Sequence, residues 1–122
     1  MKHVLAVFVF IFFFMSNAVS ASKNCDGTLT GYTLSKPLSI REIERRETLL
    51  IRAMRKTDPS IPDLPFGYQN YAWNLFKVRI KPKDKVVFFE SSAHSWKNSA
   101  GESGYALFRS GCVIEQFLGA YN

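Results

Sequence analysis

Tyr105-Ala106-Leu107-Phe108-Arg109-Ser110-Gly111-Cys112-Val113-Ile114-Glu115-Gln116-Phe117-Leu118 reads as two strands closed by a tight turn. Aromatic and β-branched residues fill both arms, and Ser110-Gly111 is a two-residue hairpin signal. Pairing outward from that turn sets Arg109 against Cys112, Phe108 against Val113, Leu107 against Ile114 and Ala106 against Glu115. In this register Leu107, Cys112, Ile114 and Leu118 share one face, while Ala106, Phe108, Val113 and Phe117 share the other. A half-buried antiparallel sheet alternates apolar with polar residues. Here both faces are apolar, so each needs a cover.

Upstream, Lys85-Val86-Val87-Phe88-Phe89-Glu90 has the same two-sided character and supplies a third strand. Lys81-Pro82-Lys83-Asp84 turns into it, and residues 91–103 form a polar loop out of it. If no part of the chain covers the second face, Phe88, Phe108, Val113 and Phe117 are candidates for contact with a protein partner.

Two helical segments precede the strands. Ser39 has the place of an N-cap, with Glu42 three residues on to complete a capping box. Ile40, Ile43, Leu50 and Met54 fall at helical spacing, interrupted by Glu47, and Leu49, Ile51 and Ala53 widen the face. The spacing predicts a helix over residues 40–56, ended by Thr57-Asp58-Pro59. Pro59, Pro62 and Pro65 then make a stiff connector packed by Ile61 and Leu64. A second helix is expected over residues 67–78, with Tyr68, Tyr71, Ala72, Leu75, Phe76 and Arg79 in line and Trp73 to one side. The fold expected is therefore α+β: two helices packed on a three-stranded antiparallel sheet, in the order α-α-β-β-β, spanning residues 39–122 as a single domain. Residues 22–38 make an irregular arm, with a short strand around residues 28–34.

The start of the chain has the three parts of a secretory signal peptide. Lys2 and His3 are basic, Val4–Met15 is an uncharged apolar run, and Asn17-Ala18-Val19-Ser20-Ala21-Ser22 is rich in small residues. Cleavage after Ser20 or after Ala21 fits the small-x-small rule, which makes residues 1–21 the leader. The apolar run is about 12 residues, short of the roughly 20 that cross a bilayer as a helix, so no transmembrane span is expected after cleavage. Export points to the periplasm or the cell exterior. In an oxidising compartment the pair Cys25 and Cys112 is best read as a disulfide joining the ends of the domain. Loop entropy puts such a staple at no more than roughly 4–5 kcal/mol.

The chain carries 16 Lys and Arg against 10 Asp and Glu, a net charge of +6, of which Lys2 leaves with the leader. A moderate basic excess favours anionic surroundings. Its most concentrated expression is on the first helix, where Arg41, Arg45, Arg52 and Arg55 form a candidate strip for anionic lipid or polymer of the envelope, although Glu42, Glu44 and Glu47 interleave with it. A solvated helix face is the plainer reading. There is no helix-turn-helix, finger or RNP-like strand, so nucleic acid is not an expected partner.

Catalytic signatures are sparse. His94 lies near Glu90, Ser91, Ser92 and Ser95, and an acid–base pair of His94 with Glu90 would suit a small hydrolase. The segment lacks a nucleophile elbow and an HExxH pattern, and a lone loop histidine is ordinarily solvated. Gly101-Glu102-Ser103-Gly104 precedes no helix and is a poor phosphate cradle. Two cysteines and one histidine beyond the leader are a poor metal set, and no motif asks for a cofactor. These observations favour a small non-enzymatic binding module over an enzyme.

The stretch Asp58-Pro59-Ser60-Ile61-Pro62-Asp63-Leu64-Pro65-Phe66-Gly67-Tyr68-Gln69-Asn70, with Trp73 and the terminal strands, resembles small uncharacterised exported bacterial proteins. The likeness spans most of residues 40–122 and implies neither a substrate nor a catalytic residue. The arm and the cysteine pair lie partly outside it.

Overall fold

The hairpin turns where Ser110 and Gly111 stand, and both adopt positive φ, 53° and 79°. That is the geometry whose twist matches the strands it joins. The structure is a computed structural model that describes residues 29–121. The expected leader, its cleavage site and Cys25 lie outside the described residues. In chain order the elements are β1 (Thr33–Leu34), α1 (Ile40–Arg55), α2 (Asn70–Lys77), β2 (Lys85–Glu90), α3 (Ala93–Lys97), β3 (Glu102–Arg109) and β4 (Cys112–Tyr121). A 3-10 turn, Gly67–Gln69, leads into α2.

The mixed α+β class is as expected, but the inventory is larger. The sheet has four antiparallel strands in the order β1-β2-β3-β4 rather than three. The arm contributes β1, pairing Thr33 with Glu90 and Leu34 with Phe89, and Leu38 bridges to Val86. A third, five-residue helix, α3, stands where a loop was expected. Ser92 caps it, accepting a hydrogen bond from the Ser95 amide at 3.2 Å, and the Trp96 ring then lies against Gly101. The loop is shorter at its other end too, because β3 begins at Glu102.

The register holds at the turn and then slips. Arg109 faces Cys112 and Phe108 faces Val113, but Leu107 faces Glu115 and Ala106 faces Gln116, with Ile114 as the extra residue of a bulge. One inserted residue reverses every later side chain. Phe117 therefore leaves the face of Phe108 and Val113 and joins Leu107, Tyr105 and Val86.

The main core lies on that side, between the sheet and the helices. Ile43 of α1, Phe66, Trp73 and Phe76 of α2 meet Val86, Tyr105, Leu107 and Phe117. Trp73 is wholly buried at the centre, stacked 5.5 Å from Phe76, with the Phe66 ring tilted against it at 4.7 Å. The expected inward stripe holds at Phe76 but not elsewhere: Trp73, expected to one side, is buried beside it, whereas Tyr68, Tyr71 and Leu75 are exposed. Ser39 caps α1 as its sequence predicts, accepting from the Glu42 amide at 3.1 Å while Glu42 accepts from Ser39 N–H at 3.4 Å. Glu44 ties the two helices together, accepting from Lys77 Nζ at 2.6 Å and from the Trp73 indole N–H at 3.1 Å. Chiefly the Lys77 bond holds its carboxyl below the ordinary glutamate range.

The opposite face of the sheet has its own small cluster of Val87, Phe89 and Ala106, against which Leu29, Tyr32, Phe108 and Val113 pack. The arm thus supplies cover for the second apolar face, and Tyr32 OH donates to Glu102 Oε1 to fasten it.

At the far end of the hairpin, Arg109 Nε and Nη2 donate to the two oxygens of Asp84 at 2.9 and 2.8 Å, and Lys81 N–H donates to Asp84 Oδ2 at 2.8 Å. These contacts cover the carboxylate locally, although its turn stands at the surface. The Arg109 hydrogen bonds first, and the Lys81 amide second, lower the Asp84 pKa to about 2. A carboxyl whose pKa is lower in the folded chain contributes stability above its unfolded value and loses it as pH falls through the folded value. The urea midpoint is expected to drop between about pH 4 and pH 2, and Asp84→Asn to flatten that part of the profile. An unchanged profile in the variant would show that the pair does not couple folding to pH.

Candidate functional site

Beyond Ile43, α1 departs from the main core. Its next buried residue, Ile51, packs with Ile61 over Gly67, where an added Cβ would come within 3.0 Å of both side chains. Between this half of α1 and the β3–β4 end of the sheet lies a cleft of about 590 Å³. That is within the roughly 300–1,000 Å³ typical of small-molecule sites. Leu50 and Met54, one helical turn apart, overhang it and remain 49% and 54% exposed. Phe66, Phe88 and Tyr105 line its inner side, and Ser103, Gly104, Gly119 and Ala120 form a floor of small residues from β3 and β4.

The polar side chains that line the cleft are those of Arg46, Glu47, Tyr68, Gln69, Ser103 and Tyr105. Tyr105 is 1% exposed, and its hydroxyl donates to Glu47 Oε1 at 2.6 Å. Burial first, then this hydrogen bond, raises the Tyr105 pKa, which keeps the phenol a neutral donor. Arg46 lies with its guanidinium carbon 4.2 Å from the centre of the Phe88 ring. No carboxylate lies in salt-bridge range of it among the described residues. Stacking on the ring leaves the edge N–H groups of a guanidinium available to an acceptor. The arrangement is suited to holding an apolar body with a polar tip.

The arginine strip expected on α1 divides in two. Arg52 Nε lies 3.7 Å and Arg55 Nη1 3.4 Å from the Asp63 carboxylate, and Arg55 Nε donates to the Ile61 carbonyl at 2.9 Å. Those two cations hold the proline connector. Arg41 and Arg45 are exposed and have no ion pair among the described residues. Arg45 and Arg46 flank Leu49 and Leu50 in a shallow hollow that adjoins the cleft.

The four residues offered as one partner surface do not form one. Phe117 is buried in the main core and Phe88 lines the cleft, while Phe108 and Val113 lie half-buried on the opposite face. The slip at Ile114 moves Phe117, and the β2–β3 register, which pairs Phe88 with Tyr105, places Phe88 on the face away from Phe108. His94 and Glu90 are both exposed, and His94 Nε2 is paired with Asn98 Nδ2 at 3.1 Å rather than with Glu90. Neither lines the cleft. Cys112 opens β4 as the described half of the expected disulfide, and the described residues contain no free cysteine. Among the described residues no group of His, Cys, Asp and Glu is arranged to hold a metal ion. No described helix is long and apolar enough to cross a membrane.

Glu47, Arg46 and the small-residue floor were not singled out as a site by the sequence. One trace was present: Glu47 breaks an otherwise apolar helical stripe, which a carboxylate does without penalty only where a donor meets it. Comparison with protein-family models, with curated proteins and with solved structures finds no match.

Proposed function

We propose that this chain is a small, non-enzymatic binding module of the periplasm or cell exterior, delivered by the leader at residues 1–21 and stapled by Cys25 and Cys112. Its binding site is the cleft under α1. The observation that carries this reading is the half-exposure of Leu50 and Met54 above Gly104, Gly119 and Ala120. Apolar side chains held open over a floor of small residues leave a volume that an apolar ligand fills with gain of buried area.

Gly119 provides the test, because a Cβ added there meets nothing closer than 3.8 Å. The Gly119→Leu variant should fill the cleft from its floor, with a cooperative urea transition showing that it still folds. An uncharged apolar dye, N-phenyl-1-naphthylamine, should bind the native protein saturably at one site, and the variant at least tenfold more weakly. Equal dye binding by the two proteins, or no saturable binding by either, would contradict the cleft as the binding site.

A second reading is favoured by Arg41 and Arg45, exposed and without ion pairs among the described residues. In it α1 adsorbs to anionic envelope lipid or polymer, with an affinity that falls steeply as salt rises.

A further inference from the structure

The cleft's two charged residues are differently placed. Glu47 already accepts the Tyr105 hydroxyl at 2.6 Å. Arg46 is held over Phe88 and has no carboxylate partner among the described residues. The uncommitted charge at the wall is therefore positive. It stands where the apolar cleft meets the hollow of Glu42, Arg45, Leu49 and Leu50, since Arg46 and Leu50 line both, and Glu42 there accepts from the Ser39 N–H as part of the helix cap. The chain as a whole is basic, with a net charge of +6, which raises the local concentration of anions.

We propose that the cleft takes a single-chain anionic amphiphile, its alkyl chain lying on Gly104, Gly119 and Ala120 beneath Leu50 and Met54 and its carboxylate or phosphate headgroup paired with Arg46. A volume of about 590 Å³ with one cation in its lining suits one tail and one charge. A guanidinium binds either oxyanion through paired N–H donors. This inference rests on the cleft being the binding site.

The experiment is displacement of N-phenyl-1-naphthylamine from the purified protein by decanoate, decyl phosphate and decanol, each below its micellar concentration. Decanoate and decyl phosphate should displace the dye at least tenfold more effectively than decanol. In Arg46→Gln that advantage should shrink to less than threefold, each displacement being taken relative to the variant's own affinity for the dye. Equal displacement by decanol overturns the headgroup assignment and leaves the cleft standing. Failure of the dye to bind overturns both. Binding confined to phosphatidylglycerol vesicles and abolished by salt, with no displacement by the monomeric amphiphiles, overturns the proposal in favour of adsorption to a bilayer.

Discussion

Trp73→Ala is expected to lower the stability of the domain by about 3–5 kcal/mol, the range for truncating a large aromatic side chain in a packed core. Trp73 has no solvent exposure and stands within 6.1 Å, centroid to centroid, of Phe66, Phe76, Tyr105 and Phe117. Its indole N–H also donates to Glu44, so the truncation removes one of that carboxylate's two donors. Domains of this size are stable by only about 5–15 kcal/mol, so the variant should populate the unfolded state measurably at room temperature. Trp73→Phe keeps part of the ring packing and loses the N–H, and should lie between the two. Chemical denaturation followed by circular dichroism reads all three. A midpoint in Trp73→Ala equal to that of the native chain would place the core elsewhere.

Gly104→Ala is the second substitution with a large expected effect, and here the cause is overpacking. A Cβ at Gly104 would lie 2.0 Å from the Phe117 carbonyl oxygen and 3.0 Å from the Leu118 Cα. All of the nearest atoms are backbone, so no side-chain rotation relieves the clash. Strands β3 and β4 would have to part or slip beside the irregularity already present between Ser103 and Gly104. The expected loss is about 3 kcal/mol, at the upper end of the usual range for overpacking. Gly119→Ala, on the same floor, adds a Cβ with nothing nearer than 3.8 Å and should change stability little. Comparable losses in the two variants, measured by urea denaturation, would contradict this reading of the β3–β4 approach.

Local signals in the sequence translated directly into structure. Ser39 with Glu42 caps α1, Ser110-Gly111 makes the turn, and the apolar run Lys85–Glu90 forms β2. Signals of period were less decisive where every position is bulky. Tyr68 of the 3-10 turn with Tyr71 and Leu75 of α2 is as apolar a stripe as Trp73 and Phe76, and packing against the sheet selects the second. The bulge at Ile114 leaves no mark because Val113 and Ile114 are equally suited to a strand. The cleft is less legible still. It draws on α1, β3 and β4, and its floor is defined by small side chains, whose contribution is the space they leave. Arg52 and Arg55 pointed outward to an anion in the sequence, yet Asp63, which holds them, is near only because the proline connector folds back.

The central claim is that the apolar volume between α1 and the β3–β4 end is where this protein binds. A ¹H–¹⁵N correlation titration of the purified protein with decanoate tests it residue by residue. The account predicts saturable shifts concentrated at Leu50, Met54, Gly104, Tyr105, Gly119 and Ala120, with Arg46 Nε among the perturbed signals. Shifts concentrated at Phe108 and Val113 on the opposite face, or spread without saturation along the exposed side of α2, would contradict it.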